Sequence, residues 1–475
     1  MFTSKRYNIL NMENATIQST TLKQKISIVG ICSGCIVMGL VFTMVNTAIP
    51  SIQKSLKTSI HAMQWMMIAF GMINCAFLVT SGRIADIFGR KKIFLLGLSS
   101  SGTGMLLAGF CSGSPGLILS MSLAGFGNAI LLPVSQAMLV SEFPEMRRKH
   151  AIAIWATAVA SAMAIGPLVG GLILEELGWQ WVFWATIPIV LISFILVCFF
   201  SRESRNQDDP PHIDYKGMLY IATALASFVL ITTEFSQLPW IIIFLLLIVL
   251  FISAYLLRRN GKTHPSPILL QELVQNRTFL CASIASACLI FYLWSLFFIL
   301  PVYLQKVQPF SPLETGLLML GITVPVALFS PLVGKLYTPR NAWIFIAVGF
   351  FLLMLSSILQ TFFTASSTIP FILTTILLFG LGYSLTCSPT TVAAISVVST
   401  QKAGIASGTF VTFQEIGGTL GLALIVSLIQ MYPNLLLGIN RGALGLLIIS
   451  AMGCFCGLAL RKTTIRTHRK KTKRI

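Results

Sequence analysis

One carboxylate stands where a carboxylate is costly. Glu415 lies inside a long apolar run, whereas the other thirteen of the 14 Asp and Glu fall in connecting segments or at their edges. An acidic side chain at membrane depth marks a functional site by default. Desolvation disfavours its charged form, so Glu415 can keep a proton while sealed from water and release it when the site opens. A neutral Glu can equally hydrogen-bond a partner helix and hold a bundle together. Both readings stay open from the residue alone.

Two glycine-bearing stretches suggest moving parts. In Gly82-Arg83-Ile84-Ala85-Asp86-Ile87-Phe88-Gly89-Arg90-Lys91-Lys92, Gly82 and Gly89 permit close packing and a tight turn. Asp86 can pair with a neighbouring Arg or face the positive end of another helix. A contact made in one conformation and broken in the other is a latch, here Gly82, Arg83, Asp86, Gly89 and Arg90. Gly166, Pro167, Gly170 and Gly171 predict a kinked, closely packed gating helix. The polar and aromatic candidates for a cavity lining are Asn46, Asn128, Gln136, Trp155, Tyr292, Tyr383 and Gln414, with Asn74 and Trp294 beside them. Trp65, Trp179, Trp240 and Trp343 lie near span ends and suit interfacial anchors.

The elements that must position these residues are transmembrane helices. The chain has 475 residues, 55% hydrophobic and 10% charged, with mean hydropathy +0.85. About 20 apolar residues span a bilayer, and counting uncharged runs predicts fourteen spans. Breaks are expected near Cys111–Gly116 and Ser366–Pro370. An even count puts both tails on one side, and the positive-inside rule makes that side cytoplasmic. This topology places 29 of the 33 Lys and Arg inside and leaves only Lys54, Lys57, Lys306 and Arg441 outside.

The expected organisation is 6+2+6 in an all-α membrane protein. It comprises a cytoplasmic N-tail (1–25), a six-helix bundle (26–201), an inserted helix pair with flanking loops (202–277), a second six-helix bundle (278–461) and a basic cytoplasmic C-tail (462–475). Ser81–Asp86 and Val333–Thr338 echo each other, as do Gly166–Gly171 and Gly417–Gly421. Repeated halves around a midplane site are a transporter pattern. The first apolar run reads as a signal anchor, and the sequon at Asn14 falls inside and is discarded.

The net charge of +19 follows the topology and has no nucleic-acid motif with it. Cys32-x-x-Cys35 and Cys454-x-Cys456 have no nearby His or carboxylate, so no metal is expected. No cofactor motif and no enzyme-like constellation is visible.

The stretch from Gly82 to Lys92 resembles the loop-2/3 signature of the major facilitator superfamily. Further segments resemble its fourteen-helix drug:proton antiporter branch. These are Val45–Pro50, Pro133 with Phe143-Pro144 and Arg147, Gly166-Pro167-x-x-Gly170-Gly171, Trp179-Gln180-Trp181-x-Phe183 with Pro188, Tyr303-Leu304-Gln305 and Ser311-Pro312-Leu313-x-x-Gly316. The resemblance implies the major facilitator fold in a plasma or inner membrane and efflux of amphipathic or hydrophobic small molecules by alternating access, with protons as coupling ion. Three charges usual in that branch are replaced by Val41, Met121 and Gln180, which leaves Glu415 as the coupling candidate. With so few charges in the spans, neutral or weakly basic cargo fits best. The rivals are an uncoupled facilitator of a neutral solute and a non-transporting receptor or scaffold on the same fold.

Overall fold

The computed structural model describes residues 22–472, apart from residues 144, 206–212, 236–237, 266, 269–270, 339–340 and 399–402. For 145–150, 271, 403–405 and 462–472 it describes the backbone alone. Asn14, Pro144, Asp208 to Pro211 and the side chains of Arg147 and of the basic C-tail therefore lie outside the described residues.

With no water in hydrocarbon to satisfy backbone groups, an apolar chain must form helices or a closed barrel. Among the described residues it forms fourteen helices of spanning length. They are α1 (Leu22–Ser55), α2 (Ile60–Phe88), α3 (Arg90–Phe110), α4 (Ser114–Glu142), α5 (Ala151–Glu176), α6 (Trp179–Phe200), α7 (Tyr215–Thr233), α8 (Trp240–Thr263), α9 (Arg277–Lys306), α10 (Pro312–Leu336), α11 (Ala342–Gln360), α12 (Ile369–Ile395), α13 (Ala406–Gln430) and α14 (Leu435–Arg461). Local chemistry sets their ends. Ser59 caps α2 by accepting from the Ala62 amide, and Asn276 caps α9 through the Thr278 and Phe279 amides. Ser311 and Glu314 form a reciprocal capping box on α10. The breaks expected after Cys111 and before Pro370 are both present.

The first six helices and the last six pack in the same pattern. α1 lies on α5, and α2 and α3 lie on α4; correspondingly α9 lies on α13, and α10 and α11 lie on α12. Between the two bundles, α5 meets α10 and α2 meets α13, with α1 against α9 in the middle. α7 and α8 pair with each other, and α7 lies along both α2 and α13. The helix pair thus covers the α2–α13 seam through a small apolar cluster of Cys75, Ile221, Leu225 and Ile268.

The seam is tight at the end carrying Ser55, Glu176 and Lys306. There Gly171 faces the Pro312–Leu313 backbone, and Gly316 faces the Pro167–Leu168 backbone. A Cβ on Gly171 would stand 3.0 Å from Leu313 Cα, and one on Gly316 3.0 Å from Leu168 Cα. Such reciprocal glycines let two helix backbones touch. Gln305 donates to the Thr47 carbonyl at 3.1 Å, Lys306 donates to Gln53, and Glu175 accepts from Ser311 and Leu313. Gln64 reaches from α2 to the Leu422 and Ala423 carbonyls of α13, both at 3.1 Å. Toward the other end α5 and α10 separate. Ile152, Ala153 and Ile154 are exposed in succession, as are Ala327, Leu328 and Phe329, more of each circumference than a lipid-facing stripe.

Replacing Gly316 by Val should overpack the crossing and cost about 1–3 kcal/mol. The expected readout is a lower melting temperature of the purified protein. Gly334→Ala, where an added Cβ meets nothing within 4 Å among the described residues, should leave it unchanged.

Candidate functional site

Glu415 sits in the α2–α13 seam, half-buried, where the two bundles meet at mid-height. Its Oε2 accepts a hydrogen bond from Asn74 Nδ2 at 2.7 Å. Asn74 is 1% exposed, and its Oδ1 has no hydrogen-bond partner among the described residues. The site is walled by small and aromatic groups. A Cβ on Gly71 would stand 2.7 Å from Thr419 Oγ1 and 2.8 Å from the Trp294 ring. Trp294 also lies against Gly418, and its ring centroid is 5.1 Å from that of Phe42 on α1. Helices from both bundles therefore enclose one carboxylate and one amide. An amide presents donors on one side and an acceptor on the other, so Asn74 can serve an ionised carboxylate or, turned over, a protonated one.

The glycine-bearing loop is folded into a charge network at the open end. Arg90 pairs with Asp86 at 2.8 Å, one helical turn apart across Gly89. Gly89 holds φ +113, a conformation that favours glycine, and a Cβ there would meet the Glu203 carboxylate. Glu203 accepts from the backbone amides of Lys91 at 3.0 Å and Lys92 at 3.3 Å, which makes it a borrowed cap for the N-terminus of α3. Gly82 has room beside Pro133 of α4. Arg83 lies in the electrostatic reach of Asp86 and of Asp214.

Asp214 does not stand out in the sequence, and it is a hub. At 2% exposure it accepts from the Gly217 amide at 2.7 Å, from Asn260 Nδ2 at 2.7 and 2.8 Å, and from the Ile268 amide at 3.1 Å. The Ile268 carbonyl in turn accepts from Thr409 of α13 at 3.0 Å. One carboxylate thus ties the start of α7, the end of α8 and the segment before α9, and that segment is fastened to α13. The available signal was an Asp directly before an apolar run, a helix N-cap pattern.

The remaining candidates distribute as follows. Gly166 and Gly170 receive Thr43 and Met44 of α1, while Pro167 and Gly171 face α10. Gln414, next to Glu415, donates to Ser286 at 2.7 Å within the second bundle. Trp155 donates to Cys35 and Ser135, each at 3.0 Å. Asn128, Gln136 and Tyr383 are half-buried. Asn46 is fully buried and bonded to the Phe42 carbonyl. Tyr292 is fully buried, its hydroxyl held by Ser357 at 2.9 Å and Gln360 at 2.7 Å, so neither it nor Asn46 faces open space in this conformation. Val41 and Met121, which stand where charges were expected, are core residues at 3% and 1% exposure.

The family model of the Major Facilitator Superfamily matches residues 31–422. The chain is 28% identical over 398 residues to the multidrug resistance protein Stp of Mycobacterium tuberculosis (strain CDC 1551 / Oshkosh), covering 82% of this chain and 73% of that protein. It is 28% identical over 424 residues to the puromycin resistance protein pur8 of Streptomyces alboniger, covering 87% and 83%. The riboflavin transporter RibZ of Clostridioides difficile (strain 630) is 26% identical over 407 residues, covering 86% and 88%. Among solved structures, a POT family transporter in complex with 5-aminolevulinic acid shares the fold with TM-score 0.69 at 14% identity, over 95% of this chain and 97% of its own.

Removing the hub charge with Asp214→Asn should cost about 1.5–3 kcal/mol, the range for hydrogen bonds to a charged group. Limited proteolysis between α6 and α9 is expected to speed up in that variant. Equal cleavage rates in variant and parent would show that the hub does not hold the helix pair.

Proposed function

Because the chain belongs to the Major Facilitator Superfamily, we propose that it exports amphipathic or hydrophobic small molecules by alternating access, with Glu415 carrying the coupled proton. It is a secondary transporter built as a multi-pass protein of the cell membrane. Relatives named for resistance to drugs and to puromycin support export as the direction. The distribution of Lys and Arg supports cytoplasmic tails. The open end then faces the cytoplasm, and the described conformation is the one in which an exporter loads.

The single observation that carries the coupling is the hydrogen bond from Asn74 to Glu415 across the two bundles. In the loading state an ionised Glu415 is held by the Asn74 amide hydrogen. Closing the cytoplasmic end requires α5 and α10 to approach below Gly166, and opening the far end requires the Gly171–Gly316 crossing to part. The α2–α13 seam tilts in the same movement and exposes Glu415 to the other side, where it takes up a proton. The Asn74 amide turned over then accepts from the protonated carboxyl, so neither state leaves a charge unpaired in hydrocarbon. Glu203 and Asp86 hold the loop that opens and closes, and Asp214 holds the helix pair that lies over the seam. Cargo of neutral or weakly basic character fits the apolar walls around Trp294 and Phe42, since Val41 and Met121 supply no fixed charge. Those same two residues favour the second reading, an uncoupled facilitator.

Reconstitution into liposomes with a dye panel and an imposed pH gradient separates the readings. A one-unit gradient drives up to about tenfold accumulation per proton. The parent protein should accumulate dye with the gradient, and Glu415→Gln should equilibrate it without accumulation. An unchanged response in Glu415→Gln removes the residue from coupling. Passive flux in the parent makes it a facilitator, and no flux makes it a receptor or scaffold.

A further inference from the structure

We propose that the sealed end carries an anion site that takes a phosphate group and holds the two bundles together. A pocket of about 520 Å³ opens there, with walls from both bundles. Ser51, Gln53, Lys54 and Lys57 line it from the end of α1 and the following turn, and Gln305 and Lys306 from the end of α9. Three of the four basic residues that the topology assigns to this side of the membrane therefore converge on one pocket.

None of the three lysines makes an ion pair among the described residues. Two carboxylates at this end are engaged at the start of α10. Glu314 accepts from the Ser311 amide, and Glu175 from Ser311 Oγ and the Leu313 amide, both at the start of α10. Lys306 is positioned by donating to Gln53 across the seam. Lys57 sits on a turn at φ +48, the one non-glycine residue with positive φ among those described.

Unneutralised ammonium groups on both sides of a seam repel and favour its parting. A bound anion reverses the sign of that interaction. Lysine ammoniums, with the Ser51 and Thr58 hydroxyls and the Gln53 amide, supply the point charges and donors that a tetrahedral phosphate uses. Because the walls belong to different bundles, the pocket exists only while they are together. An anion that binds this state alone stabilises it by linkage. The phosphate can come from free inorganic phosphate or from a phospholipid headgroup. The site needs only the sealed conformation and stands whether or not Glu415 couples protons.

The test titrates the full-length protein in detergent with inorganic phosphate, balanced with sodium chloride at constant ionic strength because exposed charges are screened by salt. A saturable rise in melting temperature is expected. The triple variant Lys54→Gln, Lys57→Gln, Lys306→Gln should fold and bind phosphate at least about tenfold more weakly. Its melting temperature without phosphate reports its folding independently. The same titration in lipid nanodiscs names the source. If phosphatidylglycerol stabilises the parent and abolishes the phosphate response, relative to phosphatidylcholine, the occupant is a headgroup. If the phosphate response persists in both lipids, it is the free anion. An equal response of parent and variant, or a response that chloride reproduces, overturns the proposal.

Discussion

How two helix bundles can adhere in hydrocarbon, and still part, is the constraint on which this molecule depends. Lipid tails are as apolar as leucine, so burial gives no drive for one span to leave lipid for another. Adhesion must come from close backbone approach and from hydrogen bonds. The chain supplies the first at the Gly171–Leu313 and Gly316–Leu168 contacts. It supplies the second through Gln64, Gln305 and Glu175, all toward one end of the seam. Where these residues stop, α5 and α10 separate. The conformation follows from where the small and polar residues lie along otherwise uniform apolar helices.

The same economy governs charge. Glu415 is the acidic residue placed at mid-height, and its partner Asn74 comes from the other bundle. A carboxylate bonded only within its own bundle would sense nothing of the relative motion. One that bridges bundles has its hydration and partners changed by any relative motion of the two. The buried Asp214 does a different job. Its three sets of donors are backbone and amide groups of the inserted pair and its flanking segment, which fix a structure at the membrane edge. The added helices α7 and α8 are thereby fastened over the α2–α13 seam, beside the Glu415 site, instead of floating in lipid. Glu203 shows the same use of a carboxylate at a boundary, since it caps α3 from a distant loop and makes glycine obligatory at position 89.

Much of this was legible in the residues. Eleven uncharged runs, two of them long enough for two spans each, and the run carrying Glu415 read as fourteen spans, because hydrocarbon thickness and backbone hydrogen bonding leave a chain of this composition few alternatives. The breaks at Cys111 and before Pro370 followed from turn residues. Glu415 could be singled out by counting, since charge is so rare at membrane depth. The family resemblance followed from short motifs whose glycines and prolines have positional meaning. Asp214 was hidden by its setting, a polar loop in which a buried carboxylate and a solvated one look alike. Tyr292 stood out as a cavity candidate, but its burial was not legible, since its hydroxyl is satisfied by Ser357 and Gln360, which come from α11, a helix distant in sequence.

The sequence by itself determined the class, the spans, the repeated halves and the isolation of one acidic residue, because each of these is a property of local composition acting against lipid. Only the tertiary structure decided which partner Glu415 meets, that Gly171 and Gly316 back onto the opposite helix, and that Lys54, Lys57 and Lys306 share one pocket. Those are matters of which faces of distant helices come together. A helix presents every face to its surroundings, and only packing selects the one that matters.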